Sequence, residues 1–454
     1  MNKNFLALGL AAALLAPQVA GAEGFAINEW SAEGVAMGGA RMFAEDDAAN
    51  VAYNPASITK VKGEVMKSSY TYLSPHGSYK ADIKESLKPG TNETIPAYPE
   101  YGHNKVHAGW AVGSYYVRQI NDKEWFGIGA FPRFAMVSEF ERGSKISSNA
   151  FFSKLNGVSV TPTYAHKFDK KWSAAVGAEI NYVGLELQKN VNTTLLGGGN
   201  GTTQIEGESY ALGWNAAANY AFDDKNEIGV VYRSRIKHSL EADLKGYGVG
   251  NKGADVFGNA YGVVTLPDSW DIGYNHKFDK KTRLELKATR TNWSTYDALN
   301  VYFDRPLVSN PNIPAIGAAT SKSESAKNWS NGWRYAIGLE HNLSDKYAVM
   351  AGFAFDESSI PYDGGDFIVP TGLRRTYSIG ARYNDKKQTV AVALGWMDVG
   401  TLDFAGHPEK GDAYSSAHAY DSFTKIASIS YHRKFYFYIL ALPELLHEKV
   451  RQLF

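Results

Sequence analysis

Apolar and polar residues alternate with a period of two along most of the chain. Between positions 172 and 182 the even-numbered residues are apolar, and the odd-numbered residues are mainly small or polar. Successive side chains of a β-strand point to opposite faces, so this period predicts a strand with one apolar face. On later segments we expect Tyr347 and Leu394 to face outward and the small residues Ala348 and Ala391 to face inward.

Fourteen segments of this kind are predicted, with short polar turns and long loops between them in alternation. The segments begin near Val65, Val106, Trp125, Gly157, Trp172, Ser209, Glu227, Ser269, Thr282, Trp333, Lys346, Arg375, Gln388 and Ser422. The long stretches, rich in Gly, Ser, Asn and Pro, cover 74–105, 188–208, 298–331 and 398–421. This pattern is typical of an outer-membrane barrel, in which closure pairs every backbone group. The predicted fold class is all-β, a 14-stranded antiparallel transmembrane β-barrel.

The hexapeptide HKFDKK occurs twice, at 166–171 and at 276–281. Its His, Asp and Lys side chains would also suit an acid-base or metal site. However, each copy joins two alternating segments, and Asp and Lys favour tight polar turns. Phe168 and Phe278, with Phe222 in a similar turn, are expected in the aromatic girdle at the periplasmic interface. We therefore interpret the repeat as a hairpin turn and predict no catalytic residue and no metal there.

The two ends of the chain differ from the alternating part. Lys3, the apolar run FLALGLAAALLA and Ala20-Gly21-Ala22 indicate a signal peptide over 1–22. Residues 23–60 lack the period of two, contain an Asn54-Pro55-Ala56 turn, and are of a suitable size to fill the lumen of such a barrel. The predicted domains are thus the signal peptide, an N-terminal hatch (23–60) that plugs the lumen, the barrel (61–435) and a C-terminal extension (436–454).

Composition excludes several classes of protein. The 454 residues contain 47 basic and 47 acidic side chains and no cysteine. A neutral chain offers no electrostatic argument for binding nucleic acid, and disulfides or thiolate metal sites are excluded. We expect no cofactor and no enzymatic activity. A lipid hydrolase would need an activated serine, and no G-x-S-x-G motif is present. The competing hypotheses are a barrel protease with Asp and His at its rim, a soluble secreted protein and an open diffusion porin.

Several short motifs carry a resemblance to a known family. They are GF at 24–25, NE plus an aromatic residue at 28–30, DDAAN at 46–50, NPA at 54–56, YRSRIK at 232–237, LPDSWDIGYN at 266–275, GFAFDESSIP at 352–361 and the arginine after VP, Arg374. In this order, from Phe25 to Phe435, they resemble the FadL-type outer-membrane transporters of long-chain fatty acids and other hydrophobic compounds (OMPP1/FadL/TodX). The 19 residues after Phe435 (454 − 435) depart from that family, whose barrels end on an aromatic residue.

The resemblance implies a function and its partners. It implies a monomer in the outer membrane of a Gram-negative bacterium that takes hydrophobic small molecules, with long-chain fatty acids as the first expectation, and releases them sideways into the membrane. Phe25 matches the hatch phenylalanine that lies beside the bound ligand. Besides the ligand, the expected partners are outer-membrane lipid and lipopolysaccharide, and the barrel-assembly machinery.

A row of cations suggests where an acidic head group would bind. If Ile228, Val230, Tyr232, Ile236 and Leu240 face outward, then Arg233, Arg235 and Lys237 face the lumen. Arginine binds a carboxylate through paired hydrogen bonds, so these three cations and Arg374 are the candidate ligand-binding residues, with Phe25. The alternative is that the cations pair with carboxylates of the lumen or hatch, among them Glu45, Asp46 and Asp47.

Two prolines on adjoining strands suggest an exit route. Pro132 lies in the third predicted strand and Pro162 in the fourth. Proline has no N–H to donate and is normally absent from strands that are paired on both sides. We therefore expect a weakened patch of wall between these strands, with Gly127 and Gly129 easing a bend, to act as a lateral gate. The resemblance agrees with a kink in the third strand; isolated bulges at each proline are the alternative.

Overall fold

A computed structural model describes residues 24–87, 91–106, 108–192, 200–305, 322–385 and 387–435. The predicted signal peptide and the extension 436–454 lie outside the described residues. Within the described ranges, no helix is both long and apolar enough to cross a membrane.

Fourteen antiparallel strands close into a barrel, as predicted. They are β1 (Glu64–Ile83), β5 (Gly109–Gln119), β6 (Glu124–Glu139), β7 (Phe152–Lys167), β8 (Trp172–Asn192), β9 (Asn200–Ala221), β10 (Asn226–Arg233), β13 (Ser269–Lys277), β14 (Thr282–Thr291), β17 (Gly332–Asn342), β18 (Tyr347–Asp356), β19 (Arg374–Asn384), β20 (Gln388–Val399) and β22 (Tyr414–Phe435). Each pairs with the next in this order, and β22 pairs with β1 to close the ring.

In the part of the long loops that the structure describes, there are eight further strands. They are β2 (Ser86–Leu87), β3 (Thr94–Ile95), β4 (Tyr98–His103), β11 (Ile236–Tyr247), β12 (Val256–Leu266), β15 (Ala298–Phe303), β16 (Lys322–Ala326) and β21 (Leu402–Ala405). β11 pairs with β9 and with β12, β12 pairs with β15, and β15 pairs with β16. The extracellular side therefore carries a sheet that extends the wall. The sequence predicted β11 only as a continuation of the strand that begins near Glu227, and it did not predict β12, β15 and β16.

The short turns lie at the end of the barrel opposite the long loops. In both HKFDKK copies, an aspartate side chain closes the turn by accepting hydrogen bonds from the backbone. In the first HKFDKK copy the Asp169 carboxylate accepts hydrogen bonds from the backbone N–H groups of Lys171 and Trp172, both at 2.7 Å. These bonds hold the pKa of Asp169 below its usual value. Asp279 binds the N–H groups of Lys281 and Thr282 in the same way. The interpretation of the repeat as a hairpin turn is confirmed.

Side chains alternate between the lipid-facing and lumen-facing sides of the wall. On β20, Leu394 is 62% exposed while its neighbour Ala393 is 3% exposed. On β8, Ile180 is exposed and Glu179 and Asn181 are buried. The alternation confirms that the period of two reflects an apolar exterior and a polar or small interior.

The N-terminal segment, residues 24–60, fills the lower lumen. It contains two short helices, α1 (Ala32–Ala36) and α2 (Asn50–Tyr53), followed by a 3-10 helix over Pro55–Lys60. α1 contacts β18, β19, β20, β22 and β1, and the 3-10 helix contacts β6, β7, β8 and β9 on another side of the ring. Among the described residues, four more 3-10 turns lie in loops, at Lys145–Ser148, Asn251–Gly253, Trp293–Thr295 and Pro408–Lys410.

Glycines on the wall permit the N-terminal segment to approach closely. A Cβ at Gly127 would lie 2.8 Å from Val51 Cγ2, and one at Gly129 would lie 3.0 Å from Val51 Cγ1. A Cβ at Gly352 would collide with the backbone of Gly38, whose φ is +62°. The two glycines that the sequence analysis assigned to a bend therefore have a packing reason: they leave room for Val51.

Candidate functional site

Phe25 lies in a box of four aromatic side chains near the upper end of the N-terminal segment. Its ring centroid is 4.7 Å from that of Trp293, 5.4 Å from Tyr296, and 6.0 Å from both Phe134 and Trp329. Phe25 is fully buried. The box supplies rings in edge-to-face and tilted contact, the arrangement that aromatic rings prefer, so another flat or chain-like apolar group would suit it too.

Arg374 holds the backbone beside this box. Its Nη2 donates to the Gly24 carbonyl at 2.9 Å, and its Nε donates to Thr371 Oγ1 at 3.0 Å. Gly24 has a φ of +62°, and a Cβ there would lie 2.6 Å from the Trp329 ring. A buried guanidinium thus lies one residue from Phe25, which brings together two of the predicted ligand-binding residues.

Two small cavities lie above the N-terminal segment. The first, of about 80 Å³, is lined by Arg374, Tyr79, Phe140 and Ile368 among others. The second, of about 110 Å³, lies further out among the loops, and Ile368 lines it as well. Ligand pockets usually measure roughly 300–1,000 Å³, so neither cavity accommodates a long apolar ligand without movement of its lining.

A larger depression of about 910 Å³ lies on the lipid-facing surface, outside the lumen. Its lining is apolar and includes Tyr70, Tyr72, Trp110, Leu394 and Ile429. Because these are outward-facing residues, the depression is part of the membrane-facing wall and is separate from the aromatic box.

The wall departs from regular pairing between β5 and β6. Their ladder ends at the pair Ser114–Ala130, although both strands continue upward. From Gly129 to Met136 both faces of β6 are buried. This part of the strand is therefore displaced from the barrel wall toward the lumen. The free edge of β6 is instead paired with the N-terminal segment: Ile27 N donates to the Arg133 carbonyl at 2.8 Å, and Ala135 N donates to the Phe25 carbonyl at 2.9 Å.

Trp30 contacts β5 and β6 beside this irregular part of the wall, from the lumen side. Its indole Nε1 donates to the Pro132 carbonyl at 2.5 Å, and the Tyr115 hydroxyl donates to the Trp30 carbonyl at 2.9 Å. Trp30 was not among the predicted site residues, although the NEW triplet at 28–30 is one of the motifs in the sequence. The signal was the one tryptophan of residues 24–60, in a segment rich in alanine and glycine.

Pro132 and Pro162 lie on adjoining strands, as the sequence indicates, but they do not weaken one shared patch of wall between those strands. Pro132 lies opposite Val158 and Pro162 lies opposite Ile128, four positions lower on β6 (132 − 128). The β6–β7 ladder continues past both, with one bulge at Arg133. Pro162 coincides with a break in the ladder between β7 and β8, which skips from Val160 to Thr163. Each proline thus disturbs a different place, because proline affects only the edge on which its N–H would have pointed.

Arg233 faces the lumen as predicted, and its charge is paired. Its Nη1 lies 2.6 Å from Asp271 Oδ2, and its Nη2 donates to the Ala52 carbonyl of the N-terminal segment. The alternative of pairing with a lumen carboxylate is therefore confirmed for this residue. The partner is Asp271 of the barrel, whereas Glu45, Asp46 and Asp47 pair with other lysines and with Arg41.

Arg235 and Lys237 do not face the lumen, and this prediction is wrong. β10 ends at Arg233, and β11 begins at Ile236 after Ser234 and Arg235. The interruption reverses the faces, so that Ile236 and Leu240 are buried while Arg235 and Lys237 are exposed. The Nε2 of buried His238 lies 2.9 Å from Asn181, which marks the inner face of β11.

The Asn54-Pro55-Ala56 turn caps the 3-10 helix. Asn54 Oδ1 accepts from Ala56 N at 3.2 Å, and Asn54 Nδ2 donates to Asn219 Oδ1 on the wall at 2.7 Å. Pro55 occupies the first helical turn, where no N–H is required. The triplet therefore ends one element, begins the next and attaches both to β9.

Buried ion pairs join the lower part of the N-terminal segment to the wall. Lys67 of β1 lies 2.7 Å from Glu33 and 2.9 Å from Asp47, and Arg41 lies 3.1 Å from both Asp47 and Glu340. Burial raises the pKa of Asp47, but the charges of Lys67 and Arg41 outweigh burial and hold it well below its usual value. The pKa of Glu33 is also lowered, because Lys67 outweighs its burial. Among the described residues no cluster of side chains has the makings of a metal site.

Comparisons with known proteins agree with this architecture. The model of a family described as "Outer membrane protein transport protein (OMPP1/FadL/TodX)" matches residues 13–429. The long-chain fatty acid transport protein of Escherichia coli (strain K12) is 24% identical over 438 residues, which cover 86% of this chain and 91% of that protein. Outer membrane protein P1 of Haemophilus influenzae is 24% identical over 429 residues, 84% of this chain and 86% of that one.

Solved structures share the fold. A Pseudomonas aeruginosa FadL homologue superposes with a TM-score of 0.76 at 16% identity, over 91% of this chain and 100% of the other. The toluene transporter TodX of P. putida gives a TM-score of 0.65 at 15% identity, over 90% and 100%. Since the family model covers most of its length, the chain belongs to the OMPP1/FadL/TodX family of outer-membrane transport proteins and resides in the outer membrane.

Proposed function

We propose that this protein takes up hydrophobic small molecules passively across the outer membrane, with long-chain fatty acids as the preferred class. The observation that carries the proposal is the position of Phe25, which fills an aromatic box beside a buried arginine and next to the irregular part of the wall. An apolar ligand gains roughly 25 cal/mol for each Å² removed from water, so such a box supplies affinity without chemistry. The Escherichia coli relative, a long-chain fatty acid transport protein, supports the choice of ligand.

In the proposed mechanism the ligand replaces Phe25. The cavities beside the box are too small for a long ligand, whereas the box and the cavity lined by Arg374 together form a suitable apolar site with one cation at its edge. Displacement of Phe25 also removes the backbone bonds that residues 25 and 27 make to the free edge of β6. Ligand binding therefore frees the unpaired edge of β6 from the N-terminal segment.

The exit is lateral, at the place where β5 and β6 separate. The N-terminal segment acts as a hatch, and its buried ion pairs close the route toward the periplasm. A hydrophobic molecule gains little by entering water, whereas the bilayer lies directly outside the wall. Trp110 belongs to the part of β5 without a β6 partner and also lines the outer apolar depression, so a released ligand meets an apolar surface.

The decisive experiment attaches the hatch to β6. The chain has no cysteine, so Ala26→Cys with Phe134→Cys creates one unique pair at an antiparallel bridge. Such bridges place Cα atoms about 4.5–5.5 Å apart, which suits a disulfide. We expect the oxidised protein to lose uptake of a radiolabelled fatty acid, and reduction to restore uptake to the level of the Phe134→Cys single variant, which lacks one ring of the box.

A matched pair tests the position of the gate. Pro132→Cys with Val158→Cys joins β6 to β7, which are already paired there, so its oxidation should leave uptake unchanged. Normal uptake in the oxidised Ala26–Phe134 variant would overturn the proposed gate, and loss of uptake in the Pro132–Val158 variant would place the exit between β6 and β7 instead. A steady large conductance of the wild-type protein in planar bilayers would favour the diffusion porin.

A further inference from the structure

Three cations on the outer surface lie close to a row of aromatic rings. Arg235 and Lys237 are exposed on the lipid-facing side, and the side chain of Arg235 is 62% exposed. Arg290 of β14 lies opposite Trp270 on one neighbouring strand and opposite Trp333 on the other, with its guanidinium 5.3 Å from the Trp333 ring centroid. None of the three has a role in the proposed transport.

The aromatic row marks the level of the membrane surface. The Tyr232 ring lies 5.0 Å from that of Trp214 and 4.6 Å from that of Trp270, across three adjacent strands. Outer-membrane barrels carry such aromatic girdles at both interfaces, and this one lies at the end opposite the short turns. Arg235 and Lys237 follow Tyr232 by three and five positions (235 − 232 and 237 − 232). The cations therefore lie at the level of the outer-leaflet head groups.

Asp268 pairs with Arg235, whereas Lys237 and Arg290 have no carboxylate partner among the described residues. Arg235 Nε lies 3.4 Å from Asp268 Oδ1, and Asp268 also accepts from Asn292 Nδ2 at 2.5 Å, so this carboxylate orients Arg235. Farther along β11, Glu241 lies opposite Glu208 of β9. These acidic residues limit the positive surface to a narrow band next to the aromatic row.

We infer that Arg235, Lys237 and Arg290 form a binding site for a phosphorylated head group of an outer-leaflet glycolipid. Arginine binds phosphate oxygens through paired N–H donors, and lysine adds a compact charge. The girdle rings beneath lie against the lipid's apolar part, which distinguishes this site from one for free phosphate. Basic residues next to an anionic lipid surface contribute about 1 kcal/mol each, which corresponds to roughly fivefold in affinity per cation.

The test compares lipid retention between matched triple variants. One variant carries Arg235→Gln, Lys237→Gln and Arg290→Gln; the control carries Lys170→Gln, Lys171→Gln and Lys280→Gln, three exposed cations in the periplasmic turns. Each protein is purified in detergent and mixed with bis-phosphorylated lipid A or its dephosphorylated form. Native mass spectrometry then measures the fraction of protein that retains lipid. We expect the first variant to retain at least about tenfold less phosphorylated lipid than wild type, and the control to match wild type.

Three outcomes would overturn the inference. One is equal retention of phosphorylated lipid by wild type and the first variant. Another is an equal loss of the phosphorylated and dephosphorylated lipids, because the phosphate would then not be what binds. The third is displacement of the lipid by millimolar inorganic phosphate, which would indicate a phosphate-ion site. Heat-modifiable migration on gels and far-UV circular dichroism establish that each variant is folded, and Arg290→Lys alone should retain most of the lipid.

Discussion

The lower and upper parts of the lumen are filled by opposite kinds of chemistry. The lower part holds buried ion pairs between the N-terminal segment and the wall, such as Lys67 with Asp47 and Arg41 with Glu340. The upper part holds the aromatic box around Phe25. Buried ion pairs demand one geometry and are costly to break, whereas apolar rings accept any apolar group of similar shape. The lower part is thus suited to a fixed plug, and the upper part to an exchangeable ligand.

Deletion of residues 24–60 gives the largest effect and tests whether the lower part closes the barrel. Over the described ranges, the strands pair with one another and not with this segment, apart from the isolated bridge between Ala26 and Phe134 of β6. We expect the barrel to assemble and to conduct ions steadily in planar bilayers, while the wild-type protein stays nearly closed. A folded deletion variant with wild-type conductance would refute the plug.

Replacement of Lys67 by Met tests how firmly the ion pairs hold the plug. The change leaves Glu33 and Asp47 buried without their shared cation. Removal of one partner of a buried ion pair costs about 3–5 kcal/mol. We expect faster hydrogen exchange throughout residues 24–60 and frequent channel openings. Lys170→Met, in an exposed turn, is the matched control and should change neither; equal behaviour of the two variants would show that the ion pairs are dispensable.

Replacement of Arg374 by Met tests whether this arginine binds the carboxylate of a fatty acid in the upper part of the lumen. Hydrogen bonds to charged groups contribute about 1.5–3 kcal/mol, so the affinity for a fatty acid should fall by roughly tenfold or more, while that for the matching fatty alcohol should change little. Isothermal titration calorimetry measures both. Arg235→Met should alter neither affinity, since this residue faces outward. An equal loss for acid and alcohol would mean that Arg374 only supports the backbone of Gly24.

Acid should loosen the lower part first, and by the smallest of these effects. The pKa of Asp47 is depressed in the folded protein, where Lys67 and Arg41 outweigh burial. A carboxyl with a depressed pKa stabilises the folded state above its unfolded pKa, about 3.9 for Asp, and loses that contribution as pH falls below it. The loss is at most about 1.4 kcal/mol per pH unit for each such carboxyl. We expect more channel openings at pH 3 than at pH 7, and no such pH dependence in the deletion variant.

The strands were predictable because the residue types along each strand reflect the lipid on one of its faces and the lumen on the other. A strand between lipid and lumen tends to alternate apolar and small or polar residues, and all fourteen predicted segments correspond to strands of the barrel. The strands β12, β15 and β16 were missed because their pairing partners are far apart in sequence: Ala260 of β12, for example, pairs with Phe303. Gly-rich and Asn-rich stretches resemble loops when only neighbouring residues are considered.

The site was predictable in part. Phe25, Arg374 and Arg233 lie inside the barrel, and Asn54 caps a helix. The outward placement of Arg235 was missed, because Arg233 and Ser234 are both buried at the interruption between β10 and β11, which shifts the alternation by one position on β11. Trp293 and Trp329 were not singled out, because each comes from a loop region and only the fold brings them to Phe25.

The sequence by itself determined the barrel, its strand number, its turn chemistry and the presence of a segment that is not a strand. Each of these depends on residues close together along the chain, in which a period or a turn motif is complete. The tertiary structure decided which strand edge lacks a wall partner and what covers it. Pro132 is visible in the sequence, but the bonds from residues 25 and 27 to β6 join positions more than 100 residues apart. Such contacts arise because an unpaired backbone edge inside the protein must find hydrogen bonds from whichever segment the fold places beside it.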